Sequence, residues 1–206
     1  MDKLPGKTVE RLSEYRRNLL GYLKMGNEYI FSHELAALLH ITAVQVRRDL
    51  MLIGYSSVMK KGYDVKELIS TIGVIIDSEK GQNVAVFGFG HFGKAISGYF
   101  KGKRSKLNIV AAFDVDPEIV GKENAGVMCY PVEDAEKIIK EKGVSIAILT
   151  VPRKHARPIA EEVINHGIMG ILNFTTVPLN MPANIYLEEY DMITSLEKVA
   201  YFVKES

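Results

Sequence analysis

In the first third of the chain, apolar positions recur at helical spacing. Val9, Leu12, Leu19, Leu20 and Leu23 predict a helix over residues 8–25, capped by Thr8 and broken by Gly26 and Asn27. Ser32 is placed to cap a short helix over 33–39, and His40 with Ile41 makes a tight turn. Thr42 then caps a third helix over 43–53, which Gly54 stops. Two short helices joined this way form a helix-turn-helix pattern. Residues 55–63 read as two short strands around a basic tip, Lys60 and Lys61, like the wing of a winged helix. Asp64 caps a further helix over 65–76, and the polar residues 77–82 mark a boundary.

Beyond residue 82 the period changes. Short, continuous apolar runs over 84–87, 107–113, 126–130, 144–149 and 170–173 alternate with helical segments over 92–100, 132–142 and 155–166. Uniformly apolar runs of this length suit parallel strands covered on both faces. The alternation predicts an α/β fold with a doubly wound parallel sheet. Pro158 is tolerable only in the first turn of its helix. A proline-rich loop leads through 184–193 to a terminal helix over 195–204, whose apolar stripe is Leu196, Val199, Ala200 and Val203.

One stretch carries more chemistry than the rest. The strand over 84–87 runs into Gly88, Phe89, Gly90, His91, Phe92 and Gly93, a G-x-G-x-x-G turn opening a helix. Gly88 would make the tight turn, Gly90 would let a pyrophosphate approach, and Gly93 would let helix and strand pack closely. The next strand ends at Asp114, further from Gly88 than the usual ~20 positions. The basic loop over 101–106 takes up that excess. Asp114 would accept bonds from ribose hydroxyls and repel a 2′-phosphate, so NAD is expected over NADP. Asp116 is the rival acid, ranked second because Pro117 follows it. Ligands bind beyond the carboxyl ends of such strands, which adds Thr150, Val151 and Pro152 to the crevice. The organisation read from the chain is a winged helix-turn-helix domain over 1–77 and a Rossmann-type domain over 78–206.

Composition changes little. The net charge is +1, with 11 Lys/Arg and 9 Asp/Glu in residues 1–77 and 15 and 16 in the remainder, too even to argue nucleic-acid binding alone. The helix-turn-helix carries that argument instead. Ala43, Val46, Leu50 and Ile53 face inward on the third helix, while Val44, Gln45, Arg47 and Arg48 lie across its other faces, near the helix start. Arginine suits guanine, glutamine suits adenine, and a valine methyl suits thymine. Asp49, beside the two arginines, is expected to orient one of them. Lys60 and Lys61 would touch phosphate or the minor-groove edge. The single cysteine, Cys129, excludes an internal disulfide, suits a reducing cytoplasm and reads as a small core hydrophobe. The opening residues are polar with no apolar leader segment, and no apolar run reaches membrane-spanning length. Two other functions fit the glycine turn: a small NAD-dependent oxidoreductase, with His155 as the plausible proton donor, and a CoA-binding regulatory module.

Together, Ile41 to Leu50 (ITAVQVRRDL), Gly62-Tyr63, Val86 to Gly93, FDVDP at 113–117, ILTVPR at 148–153 and GILNF at 170–174 resemble one family closely, the bacterial redox-sensing repressors called Rex. The resemblance runs from about Leu4 to Phe202. It implies no enzyme, but a cytoplasmic homodimer that binds an operator with inverted repeats. NADH acts as the releasing effector and NAD⁺ as a weak competitor. It further implies a C-terminal dimerisation helix, about 194–206, swapped between subunits, and switch contacts at Arg17, Tyr99 and Asp191. Met192 stands where members often carry an aromatic residue.

Overall fold

The computed structural model describes residues 3–56, 61–100 and 106–204. The chain forms two compact units, Met1–Glu79 and Lys80–Ser206, dividing two residues beyond the expected boundary at 77.

The first unit opens with α1, Gly6–Lys24. Thr8 does not cap it. The carbonyl of Pro5 accepts from the N–H groups of Thr8 (2.8 Å) and Val9 (3.1 Å), so Thr8 lies inside the first turn and is buried. The second helix, α2 (Ser32–Leu39), also starts one residue before its expected position. Glu34 reaches back to the Phe31 N–H at 2.7 Å, and the Ser32 hydroxyl instead accepts from Arg47 Nη1 at 3.0 Å. His40, at φ 53°, takes the left-handed turn into α3, Ala43–Leu52. There the expected cap holds: Thr42 Oγ1 accepts from Gln45 N–H at 3.1 Å. Asp64 caps α4 (Val65–Ile76) in the same way, accepting from Glu67 N–H at 2.8 Å.

The strand pairing in this unit was not legible. Tyr29–Ile30 forms β1, antiparallel to Tyr63–Asp64, β2. Tyr63 therefore pairs with the segment after α1. Lys60 and its neighbours 57–59 lie outside the described residues. Leu12, Tyr15, Leu19, Leu35, Val46, Leu50, Leu68 and Ile72 close the core. Within that core sits Asp49, fully buried. Its carboxylate accepts from Arg11 Nε (2.6 Å) and Nη2 (2.7 Å), from Tyr15 Oη (2.8 Å) and from Gln45 Nε2 (2.9 Å). The expectation that Asp49 orients Arg47 or Arg48 is thus corrected: its side chain points inward, to an arginine on α1.

The second unit is a seven-stranded sheet. Its members are β3 (Gln82–Phe87), β4 (Leu107–Asp114), β5 (Glu123–Asn124), β6 (Val127–Pro131), β7 (Val144–Leu149), β8 (Gly170–Asn173) and β9 (Tyr186–Glu189). They lie in the order β5-β6-β4-β3-β7-β8-β9, and all neighbours are parallel except β5 with β6. From β3 the chain builds outward to β4 and β6, then crosses back to β7 on the other side. The crevice between β3 and β7 is therefore the switch point, where a doubly wound sheet opens for a ligand. Alternate strand residues feed separate cores on the two faces: Ala85, Phe87, Ala111 and Phe113 on one, Val84, Val86 and Ala112 on the other. Of the loop over 101–106, expected to lengthen the approach to Asp114, residues 101–105 lie outside the described residues.

The crossover helices are α5 (His91–Phe100), α6 (Ala135–Glu141, after a 3-10 turn over Val132–Asp134) and α7 (Arg153–Asn165). Because α7 begins at Arg153 and not at His155, Pro158 falls in its second turn, where it removes one donor from the helical ladder. The last helix, α8, runs Met192–Val203, three residues earlier than expected, because Asp191 caps it by accepting from Ile193 N–H (2.9 Å) and Thr194 N–H (3.2 Å). None of its residues is buried, Leu196 and Phe202 being 69% and 76% exposed. Among the described residues no helix is long and apolar enough to cross a membrane.

Burial opposes ionisation of Asp49, but the bonds from Arg11, Tyr15 and Gln45 outweigh it and hold the carboxyl below its ordinary range. Its stabilisation is therefore present above the unfolded carboxyl value, ~3.9, and lost as pH falls through the lower folded value. Asp49→Ala should destabilise the first unit by about 3 kcal/mol at neutral pH, because it strands a partly buried arginine. In chemical denaturation followed by circular dichroism, the gap to wild type should shrink on acidification below pH ~4. A gap of constant size down to pH ~2.5 would show that the ionised carboxylate is not its source.

Candidate functional site

At the carboxyl end of β3, Gly88 has φ 89°, a conformation that side chains resist. A Cβ there would lie 2.9 Å from the Thr150 carbonyl and from Val151 Cγ1. Thr150, just past β7, bonds this turn in place. Its N–H donates to the Phe87 carbonyl at 2.9 Å and its hydroxyl to the Gly88 carbonyl at 2.7 Å. A Cβ on Gly93 would run into the Gly88 carbonyl oxygen, so the first turn of α5 can press on the strand end only with glycine there. Around Gly90, by contrast, there is open space. Two glycines are thus required by the protein's own packing, while the third leaves room for something outside it. The first N–H groups of α5 have no intrahelical acceptor and carry the positive end of its dipole, a ready anion site.

Asp114 completes one wall. Its Oδ2 accepts from the Phe89 N–H at 2.6 Å, and its Oδ1 from Val115 N–H (2.8 Å) and Asp116 N–H (3.0 Å). The carboxylate that would face a ribose therefore also shapes the glycine turn. Asp116 Oδ1 accepts from Glu118 N–H at 2.9 Å and shapes the turn that follows. The Phe89 ring is buried in the core, so only its backbone borders the crevice. His91 is exposed. Phe92 meets Phe174 edge-on at 5.4 Å, and Phe174 meets Tyr190 at 5.5 Å. Val151 is half-buried and Pro152 precedes α7. Cys129 is buried, and burial first, then the charge of Asp114, pushes its thiol up to about 11.

Sequence reasoning missed a second polar hub beside this crevice. Asn173, at the end of β8, donates to the Val177 carbonyl (2.9 Å) and to Glu189 Oε1 (3.2 Å), and accepts from the Thr175 N–H (3.0 Å) and hydroxyl (2.7 Å). Glu189 Oε1 also accepts from Leu179 N–H at 3.0 Å. These bonds fold the loop after β8 over a cleft lined by Thr176, Val177, Pro178, Tyr190 and Asp191. The only signal in the sequence was an asparagine ending an apolar strand.

On the first unit, Thr42, Val44, Arg47 and Arg48 are all exposed on or beside the start of α3. Gln45 is not free as expected: it is half-buried, with its amide nitrogen on Asp49. Lys61 is exposed, its Nζ 5.9 Å over the Tyr29 ring. Arg17 is an exposed residue of α1, 3.9 Å from Glu14. Tyr99 is exposed near the end of α5, packed on Phe100 and roughly 12 Å along the helix axis from the glycine turn. Asp191 is engaged as the cap of α8, and bonds from the Thr194 hydroxyl and backbone hold its carboxyl below the ordinary range. His155 is exposed in the first turn of α7.

Comparison with known proteins covers both units. A family model described as a putative DNA-binding protein N-terminus matches residues 3–50, and one described as a CoA binding domain matches 79–177. A redox-sensing transcriptional repressor Rex from Anoxybacillus flavithermus is 36% identical over 98% of this chain and 95% of its own. The protein of the same name from Lactobacillus acidophilus is 34% identical, again over 98% and 95%. The crystal structure of RSP in complex with β-NAD⁺ and operator DNA covers all of this chain and 94% of its own, with a TM-score of 0.90 at 31% identity. The RSP complex with β-NADH matches with a TM-score of 0.87 at 30% identity, covering 100% and 96%. With identity of this level along almost the entire length, the chain belongs to the Rex family of redox-sensing transcriptional repressors.

Proposed function

We propose that this protein is a DNA-binding transcriptional repressor whose hold on its operator is set by the balance of NADH and NAD⁺. One observation carries the reading: a relative of the same fold over the full chain was crystallised with both β-NAD⁺ and operator DNA. The residues present fit a dinucleotide. Cβ atoms at Gly88 and Gly93 would fill the turn, Gly90 leaves it open, and the start of α5 supplies free donors for a pyrophosphate. Asp114 would receive the ribose hydroxyls and disfavour a 2′-phosphate. NAD(H) would serve as an effector, its ring cationic in one redox state and neutral in the other.

That charge is the basis of discrimination. Val151, Pro152, Phe174 and Val177 would surround the ring with largely apolar groups, where an unpaired cation is costly to bury. NADH would therefore sit deeper and bind tighter. A ligand moves a conformational equilibrium only by its differential affinity, so the ring-buried state must be the one that binds DNA poorly. Arg17, Tyr99 and Asp191 are the proposed switch residues, and Asp191 would act there while also capping α8.

The unit that acts on DNA would be a homodimer on an inverted repeat, since two copies of α3 related by two-fold symmetry read two half-sites. The uncovered apolar face of α8 supports a helix exchanged between subunits. Thr42, Val44, Arg47 and Arg48 would face the major groove, with Gln45 reaching it from its bond to Asp49, and Lys60 and Lys61 would face phosphate. The match of residues 79–177 to a CoA binding domain supports the rival reading, a CoA-binding regulatory module, as the one to test against NAD(H).

The test is a duplex enriched by the protein itself from a random pool, bound and then titrated with NADH, NAD⁺ and CoA in turn. NADH should release the duplex at the lowest concentration. Release by CoA alone would transfer the regulatory site to that ligand. Arg48→Ala should lose roughly 1–3 kcal/mol of duplex affinity per half-site while NADH affinity, measured by calorimetry, stays unchanged. Undiminished binding in a gel-shift titration would remove Arg48 from the interface. Asp114→Ala should weaken NADH and narrow its advantage over NADPH. If the variant discriminates as well as wild type, Asp116 or another group holds the ribose.

A further inference from the structure

Gln45 is held at both ends. Its backbone N–H donates to Thr42 Oγ1 at 3.1 Å and its side-chain Nε2 donates to Asp49 Oδ1 at 2.9 Å. Asp49 is four residues further along the same helix face, within side-chain reach. It is itself immobilised by two bonds from Arg11 and one from Tyr15, both on α1. A carboxylate offers only acceptors. The amide of Gln45 must therefore present its nitrogen to Asp49, which leaves Oε1 and the second N–H for a ligand.

This matters because a glutamine amide is ambidextrous. Adenine offers a donor, N6–H, beside an acceptor, N7, and one amide face matches that pair. Guanine offers two acceptors, O6 and N7, which an amide turned over can meet with its nitrogen. Turning Gln45 over would place Oε1 against the Asp49 carboxylate, two acceptors with no proton between them. We infer that Arg11, Tyr15 and Asp49 are positioning residues that lock the Gln45 amide in one orientation, making it a one-way reader of adenine in the operator half-site. The inference rests on the repressor reading and adds to it the residues that set base identity at one position.

The lock lies in the interior of the first unit, whereas the neighbouring arginines of α3, Arg47 and Arg48, are exposed at the surface. The network behind Gln45 sets fidelity. Variants within it should change which base is accepted more than how tightly DNA is held.

The experiment is selection of full-length protein on a randomised duplex pool, read by sequencing, for wild type, Gln45→Ala, Tyr15→Phe and Asp49→Asn. Wild type should enrich adenine at one pair of symmetry-related positions. Gln45→Ala should abolish that preference and leave the other positions intact. Tyr15→Phe keeps the ring that fills the core and removes only the hydroxyl on Asp49. Asp49→Asn offers a donor as well as an acceptor, so either face of Gln45 can be accommodated. Asp49→Asn should admit guanine at the same positions, with the adenine-to-guanine ratio falling roughly tenfold, while Tyr15→Phe, which keeps the acceptor-only carboxylate, should hold the wild-type ratio. Adenine retained by Gln45→Ala would overturn the inference. So would a wild-type ratio in Asp49→Asn, which would leave Gln45 as a reader with no lock. Wild-type protein that enriches no sequence at all would instead sink the repressor reading, and this inference with it.

Discussion

Everything in the second unit is arranged around a single near-collision, the approach of the first turn of α5 to the carbonyl end of β3. The Gly88 carbonyl and the α-carbon of Gly93 are so close that no side chain fits between them. That approach directs α5 away from the strand end and aims its unpaired N–H groups into the gap between β3 and β7. Thr150 then ties β7 to the same turn, and Asp114 ties β4 to it through the Phe89 N–H. Three strand ends thus converge on one loop, and each is connected by a hydrogen bond rather than by apolar contact alone. A crevice built this way is pre-formed, so a bound dinucleotide does not have to order the backbone that holds it.

The first unit solves a different problem, how to hold a short helix still while leaving its polar face outward. A ten-residue helix is marginal on its own. The Thr42 cap and the inward Val46 and Leu50 supply part of the stability. The rest comes from Asp49, which fastens α3 to α1 through a charge pair inside the core. Such a pair is weak evidence for stability as such, since an apolar substitute often serves equally well. It does fix direction and register, which a greasy contact does not.

The fold was legible wherever a polar side chain or a repeating apolar period did the work. Thr42 and Asp64 cap as their residue types suggest, and strands such as Val144–Leu149 and Gly170–Asn173 are continuous apolar runs with clear stops. Errors gathered where the backbone, or a residue distant in sequence, did the work instead. Thr8 was displaced as a cap by a proline carbonyl, and Ser32 by Glu34 reaching back. The two-residue strands β1 and β2 are too short to show a period. Asp49 beside two arginines looked like their partner, because nothing local reveals that Arg11, far earlier in the chain, reaches it first. The site followed the same division: the glycine turn and Asp114 were readable, whereas the Asn173–Glu189 hub joins two strands through a loop and left almost no trace.

The lone thiol has a consequence for what kind of sensor this can be. Reactivity toward peroxide or a disulfide depends on an accessible thiolate, and Cys129 is both buried and kept protonated by its surroundings. It therefore sits at the unreactive end of the oxidation ladder, where sulfenic acid forms slowly if at all. A signal carried by NADH or NAD⁺ arrives instead as a reversible ligand, not as a covalent scar. The protein can follow a falling signal as readily as a rising one, and needs no reductase to reset it.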